Sequence, residues 1–159
     1  MPLLEDGRLV ADDWVTVADD ASLPDAPAIL SLARLRAEDL AGRNEKLGLA
    51  LDPATQPEDI ADLLPRLSLV AVLLPKSKDG RAFTQARSLR EHFGFQGEIR
   101  ATGDVLVDQL VQMQRSGFTS AVLRADQDMA VAQKQLDRYK AFYQGDAVTV
   151  QPIFAREAA

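Results

Sequence analysis

Four short apolar runs recur along the chain, and a helical pattern follows each. "KLGLALDP" (46–53), "LSLVAVLLP" (67–75), "GEIRATGD" (97–104) and "TSAVLRAD" (119–126) read as strands. "TQPEDIADLLPRL" (55–67), "DGRAFTQARSLREHFG" (79–94), "VLVDQLVQMQRSG" (105–117) and "QDMAVAQKQLDRYKAFY" (127–143) read as the helices between and after them. The repeat is roughly 24 residues, a length that fits one strand plus one crossover helix. Alternation of this kind predicts parallel strands with right-handed crossovers.

Local signals support the boundaries. Thr55 and Glu58 have capping-box spacing, and Pro57 falls in the tolerant first turn. Phe83, Ala86, Leu89 and Phe93 form one apolar stripe; Met129, Ala132, Leu136, Tyr139 and Tyr143 form another. Two helices end alike, at Gly94-Phe95 and Gly117-Phe118, where glycine suits the position after a helix. "PAILSLARL" (27–35) with "RAEDLAGRN" (36–44) reads as an earlier unit. "GRLVADDWVTV" (7–17) predicts a small hairpin, and "AVTVQPIF" (147–154) a final edge strand, since Pro152 suits an edge. The whole chain, 1–159, reads as one α/β domain. It has a hairpin-like extension over 1–26, βα repeats over 27–145, and an edge strand with tail over 146–159.

Strand parity separates two faces. Leu47, Leu49 and Leu51 oppose Lys46, Gly48, Ala50 and Asp52. Ile99 and Ala101 oppose Glu98, Arg100, Thr102 and Asp104; Ala121, Leu123 and Ala125 oppose Ser120, Val122, Arg124 and Asp126. One face suits helices; the other becomes small or polar toward the strand ends. A sheet wound on both faces needs both to be apolar, whereas a barrel with helices outside tolerates a polar interior. The expected architecture is therefore consecutive parallel βα units in a partial or irregular barrel-like sheet, with helices mainly on one face. Dimerisation is one way to complete it. The alternative is a flavodoxin-like open sheet.

The chain carries a formal charge of −6, which disfavours nucleic acid or an anionic membrane as the main partner. It has no cysteine, which removes thiolate chemistry and disulfides. A single histidine, His92, does not supply a multi-histidine metal site, and no site-specific metal motif is present. No dinucleotide or nucleoside-triphosphate glycine motif occurs, so the cofactor stays unknown; an intrinsic oxidoreductase would need a bound flavin or another organic cofactor. The N-terminal residues lack a signal-peptide pattern, no apolar run reaches membrane-spanning length, and a cytoplasmic location is expected.

Against that acidity, the stretch from Pro75 to Leu110 gathers four arginines. Lys76, Arg100 and Arg124, with Thr102 and the amides around Gly103, are candidates for an anion site where the strands end. Asp52, Asp104 and Asp126 fall at the same ends, as acid/base groups or as helix caps. Arg81, Arg87 and Arg90 read as a solvated or ion-paired helix face, with Glu91 nearby. Arg100 sits mid-strand, where a charge must be paired. It either meets Glu98, Asp104 or Asp126, or it binds an external anion.

"DGRAFTQARSLR" (79–90), "GFQGEIRATGDVLVDQL" (94–110), "RSGF" (115–118) and the preceding Pro-Lys resemble the bacterial family known as domain of unknown function 934. The resemblance implies a bacterial protein whose relatives are often encoded beside assimilatory sulfite reductase and are labelled probable oxidoreductases of sulfite reduction. It names no catalytic residue. Two functions follow as expectations. One is an accessory protein acting with sulfite reductase or its electron donor. The other is a small oxyanion-binding protein or enzyme, such as an oxidoreductase, with its pocket at the strand ends. Whether the protein is an enzyme stays open at this point.

Overall fold

A computed structural model describes residues 3–5, 8–40, 42–76 and 79–141. The expected edge strand over 147–154 lies outside the described residues. Among the described residues, eight strands form one mixed sheet, in the spatial order β2-β1-β8-β7-β6-β5-β4-β3. They are β1 (Leu3–Glu5), β2 (Arg8–Val10), β3 (Val15–Thr16), β4 (Ala28–Ser31), β5 (Leu47–Leu51), β6 (Leu69–Leu74), β7 (Glu98–Gly103) and β8 (Ser120–Val122). From β3 to β8 every pairing is parallel and sequential; β1 and β2 close one side antiparallel. The four expected repeat strands are thus parallel neighbours.

Connectivity explains why the sheet curls into a half-barrel. β2 and β3 are at opposite edges, yet only residues 11–14 join them. From Val10 to Val15 the backbone reaches at most about 18 Å. Across a flat sheet the same strands would be roughly 33 Å apart, at seven strand spacings. The edges must therefore approach each other, and residues 11–14 form a strap across the concave face. The predicted hairpin is displaced accordingly. Residues 8–10 pair with 3–5, and 15–16 join the far edge beside β4.

Among the described residues, four α-helices accompany the sheet: α1 (Leu32–Ala37), α2 (Gly80–Glu91), α3 (Leu110–Ser116) and α4 (Met129–Ala141). The main core lies on their side. It includes Leu30, Leu49, Val70 and Ile99 from adjacent strands, with Ala82, Ala86, Leu89 and Met113 from helices. The small alanines of α2 let its backbone approach the sheet. Gly117 ends α3 with φ 115°, and Phe118 N donates to Met113 O at 3.0 Å, the glycine-dependent closure expected from sequence.

The helix expected over 55–67 is instead two 3₁₀ turns, Pro57–Ile60 and Leu64–Arg66. Pro65 has no N–H and disfavours helical geometry at Leu64, so a continuous α-helix cannot run through it. The capping box does not form: Gln56, not Thr55, precedes the first turn, and no side chain caps it.

Candidate functional site

The inner face follows the parity reading. Ser31, Ala50, Ala71, Arg100 and Ser120 stand in register across β4 to β8; Ile29, Gly48, Leu69 and Glu98 form the layer before them. The strap covers part of this face. Trp14 packs on Ile29, Leu69 and Ala71. It needs Gly48 beneath it: a Cβ there would lie 3.2 Å from the indole ring.

Arg100 is 3% exposed and its charge is satisfied internally. Nε and Nη2 bond Glu98 Oε2 at 3.0 and 2.9 Å, while Nη1 donates to Asp12 Oδ1 at 3.0 Å. Ser120 Oγ donates to the same Glu98 oxygen at 2.6 Å. Of the partners considered from sequence, Glu98 is the one used. Asp12 was missed because the strap brings it from 88 residues away.

Asp104 and Asp126 serve Arg124 instead. Arg124 Nη1 donates to Asp104 Oδ1 at 2.6 Å; its Nε and Nη2 each reach Asp126 at 2.7 Å. The side-chain hydrogen bonds from Arg124 hold the Asp126 carboxyl down at about 2. The same bonds, Asp126 first and then Asp104, raise the guanidinium above its ordinary value. This cluster sits at the rim where β7 and β8 end.

The other candidates surround that rim. Lys76 is exposed two residues after β6. Gly103 takes φ 94°, with Leu74 O about where a Cβ would stand, so the β6–β7 rim is closed tightly by backbone. Thr102 Oγ1 donates to Val72 O at 3.4 Å. Asp52 Oδ1 accepts from Ala54 N at 2.6 Å, fixing the turn after β5. The structure brings Arg124, Asp104 and Asp126 into contact and ties Arg100 into a separate group deeper in the concavity.

Sequence reasoning misread one cation and passed over one amide. Arg90 is not a solvated helix charge. It is half-buried, and it donates to Phe95 O, Gly97 O and Gly117 O at 2.7–3.0 Å while its guanidinium lies 5.9 Å from the Phe95 ring centre. Burial lowers its pKa. Gln85 is buried on the sheet-facing side of α2, and its Nε2 donates to Asp52 O and Thr55 O at 3.0 and 2.8 Å. A polar residue in register with Ala82, Ala86 and Leu89 was the available signal.

An α/β half-barrel with an ion-paired, strap-covered concave face defines the class. Residues 48–154 match the family described as "Bacterial protein of unknown function (DUF934)", and the chain belongs to that family. No curated protein matches the chain. No helix among the described residues is long and apolar enough to cross a membrane.

Proposed function

We propose that this protein is an accessory component of assimilatory sulfite reduction, acting with the reductase or its electron donor. The observation that carries the reading is family membership across 48–154, joined to the genomic setting that the resemblance implies. Geometry lends support. Arg100 and Arg124 are committed to carboxylates of the chain itself, which suits a scaffold whose charges maintain shape. The net charge of −6 suits a partner with a basic face. A pull-down from cells grown on sulfate as sole sulfur source should recover the reductase or its donor. Deletion of the gene should slow growth on sulfate more than on cysteine; equal growth on both would overturn the assignment.

A second reading places a small oxyanion at the strand ends. Exposed Lys76 and partly exposed Arg124 favour it, since both flank the rim. Thr102 Oγ1 and the amides of Asp104 and Val105 already donate to Val72 O, Leu74 O and Gly103 O, so they would join only by exchanging those bonds, and Arg100 only if the strap yields. Asp52, Asp104 or Asp126 would handle protons if the site is catalytic, including in an oxidoreductase. Calorimetry with sulfite separates the two readings, because the scaffold reading requires no saturable heat.

A further inference from the structure

A second site lies outside the concave face, between α2 and the first 3₁₀ turn. It is a cleft of about 480 Å³, walled by Pro53 and Pro57 on one side and by Gly80, Thr84 and Gln85 on the other, with Glu58 at its mouth. That size falls within the usual range for small-ligand pockets, and the place, beyond the carboxyl end of β5, is where parallel α/β folds bind ligands. An adjoining hollow shares Glu58, Thr84 and Ser88 and extends along α2.

Gln85 provides the specific indication. It is 5% exposed, and both of its Nε2 bonds go to the loop that forms the opposite wall. Its Oε1 is buried and has no hydrogen-bond partner. A buried acceptor left unmatched is costly, and a donor seated in the cleft would satisfy it. The remaining chemistry also favours a donor. Glu58 is exposed and forms no ion pair among the described residues. Arg81, the cation at the cleft, is closed on Asp79 by two bonds at 3.0 and 2.7 Å. The start of α2 would ordinarily attract an anion, but Asp79 Oδ1 already accepts from Arg81 N there.

We infer that this cleft binds a guanidinium or primary ammonium group carried on a short apolar stem. The cationic head faces Glu58 and gives an N–H to Gln85 Oε1, and the stem lies along Pro53 and Pro57. The same chemistry comes from a free amine or guanidine, or from an Arg or Lys side chain of a protein partner. This inference rests on the cleft alone and stands or falls independently of the sulfite pathway.

The test is an NMR titration of the full-length protein with propylguanidinium, propylammonium and propionate, and with the blocked peptide acetyl-Gly-Arg-Gly-amide. One or both cations should give saturable shifts at Thr84, Gln85 and Ser88, and propionate none. Glu58→Gln should weaken binding about tenfold or more, since a charge-assisted bond is lost. Gly80→Leu should weaken it: Gly80 lines the cleft, and a Cβ there meets nothing within 4 Å, so a bulky side chain is added at the wall without strain. A peptide bound about tenfold or more tighter than propylguanidinium identifies a protein side chain as the occupant; equal affinity identifies a free small molecule. Absence of saturable shifts, stronger shifts from propionate, or unchanged binding in Gly80→Leu would each overturn the inference.

Discussion

On the helix side of the sheet, Leu30, Leu49, Val70 and Ile99 stand side by side and are completely buried. One residue further along the same strands, the opposite face presents Ser31, Ala50, Ala71 and Arg100. The first row is held by area removed from water, which tolerates approximate shape but not lost volume. The second is held by a strap, one indole and a guanidinium between two carboxylates. Burying such ions offsets much of their mutual attraction, so that face contributes arrangement more than stability. Arg100 ties β7 to the strap, and the strap joins the two edges of the curl.

The largest effect should come from the apolar face. Ile99→Ala removes a fully buried side chain between β6 and β8 and should destabilise the fold by about 4 kcal/mol. Urea unfolding measures this through the shift in midpoint. A cost below about 1 kcal/mol would mean that this face collapses around the cavity and is not packed as described.

A smaller loss, about 3 kcal/mol, should follow Arg100→Met, which leaves Glu98 partly buried without its cation. Adding Glu98→Gln should restore most of it, because the uncompensated charge is then gone. The protein has one tryptophan, Trp14, on the strap. Its fluorescence should move to longer wavelength in Arg100→Met as the Asp12 anchor is lost, and stay there in the double variant. An unmoved spectrum would show that Trp14 alone seats the strap. Calorimetry on the same variant bears on the oxyanion reading: sulfite binding present in the wild type and lost in Arg100→Met would favour it.

The contrast between faces also explains what could be read in advance. Period-2 and helical patterns are local, so the parallel strands, α2 and the Gly117 stop were legible. So was the division into an apolar and a small-polar face. The path of the strap was not. Nothing within 7–17 says that its two halves belong to opposite edges, and "ADD" reads equally well as a turn. Arg100 could be recognised as needing a partner, but Asp12 is chosen by the topology. Arg90 went astray because helix spacing offers solvent or Glu91, whereas its carbonyl partners lie in loops that only the fold assembles. The strand ends were legible as a place where cations and carboxylates gather, not as to which would pair.

The smallest effect concerns acid, and it separates the ionic rim from the apolar core. Asp126 is held at about 2 by hydrogen bonds from Arg124, below its unfolded value near 4. Asp79 and Asp62 are likewise lowered, through side-chain hydrogen bonds from Arg81 and Arg36. A depressed carboxyl binds fewer protons folded than unfolded. Its contribution is therefore complete above about pH 4 and is lost as pH falls toward 2. Asp126 and Asp62 are solvent-facing, and Asp79, though largely covered, pairs with an exposed arginine, so each contribution is modest and weakened by salt. Arg124→Gln should lower the urea midpoint slightly at pH 5 and leave it closer to wild type at pH 2. The gap at pH 5 should shrink in 0.5 M salt. Ile99→Ala provides the contrast, because removing a hydrocarbon should cost about the same at both pH values. If the Arg124→Gln deficit were unchanged at pH 2, the stabilisation at the rim would come from packing of the arginine stem and not from its charge.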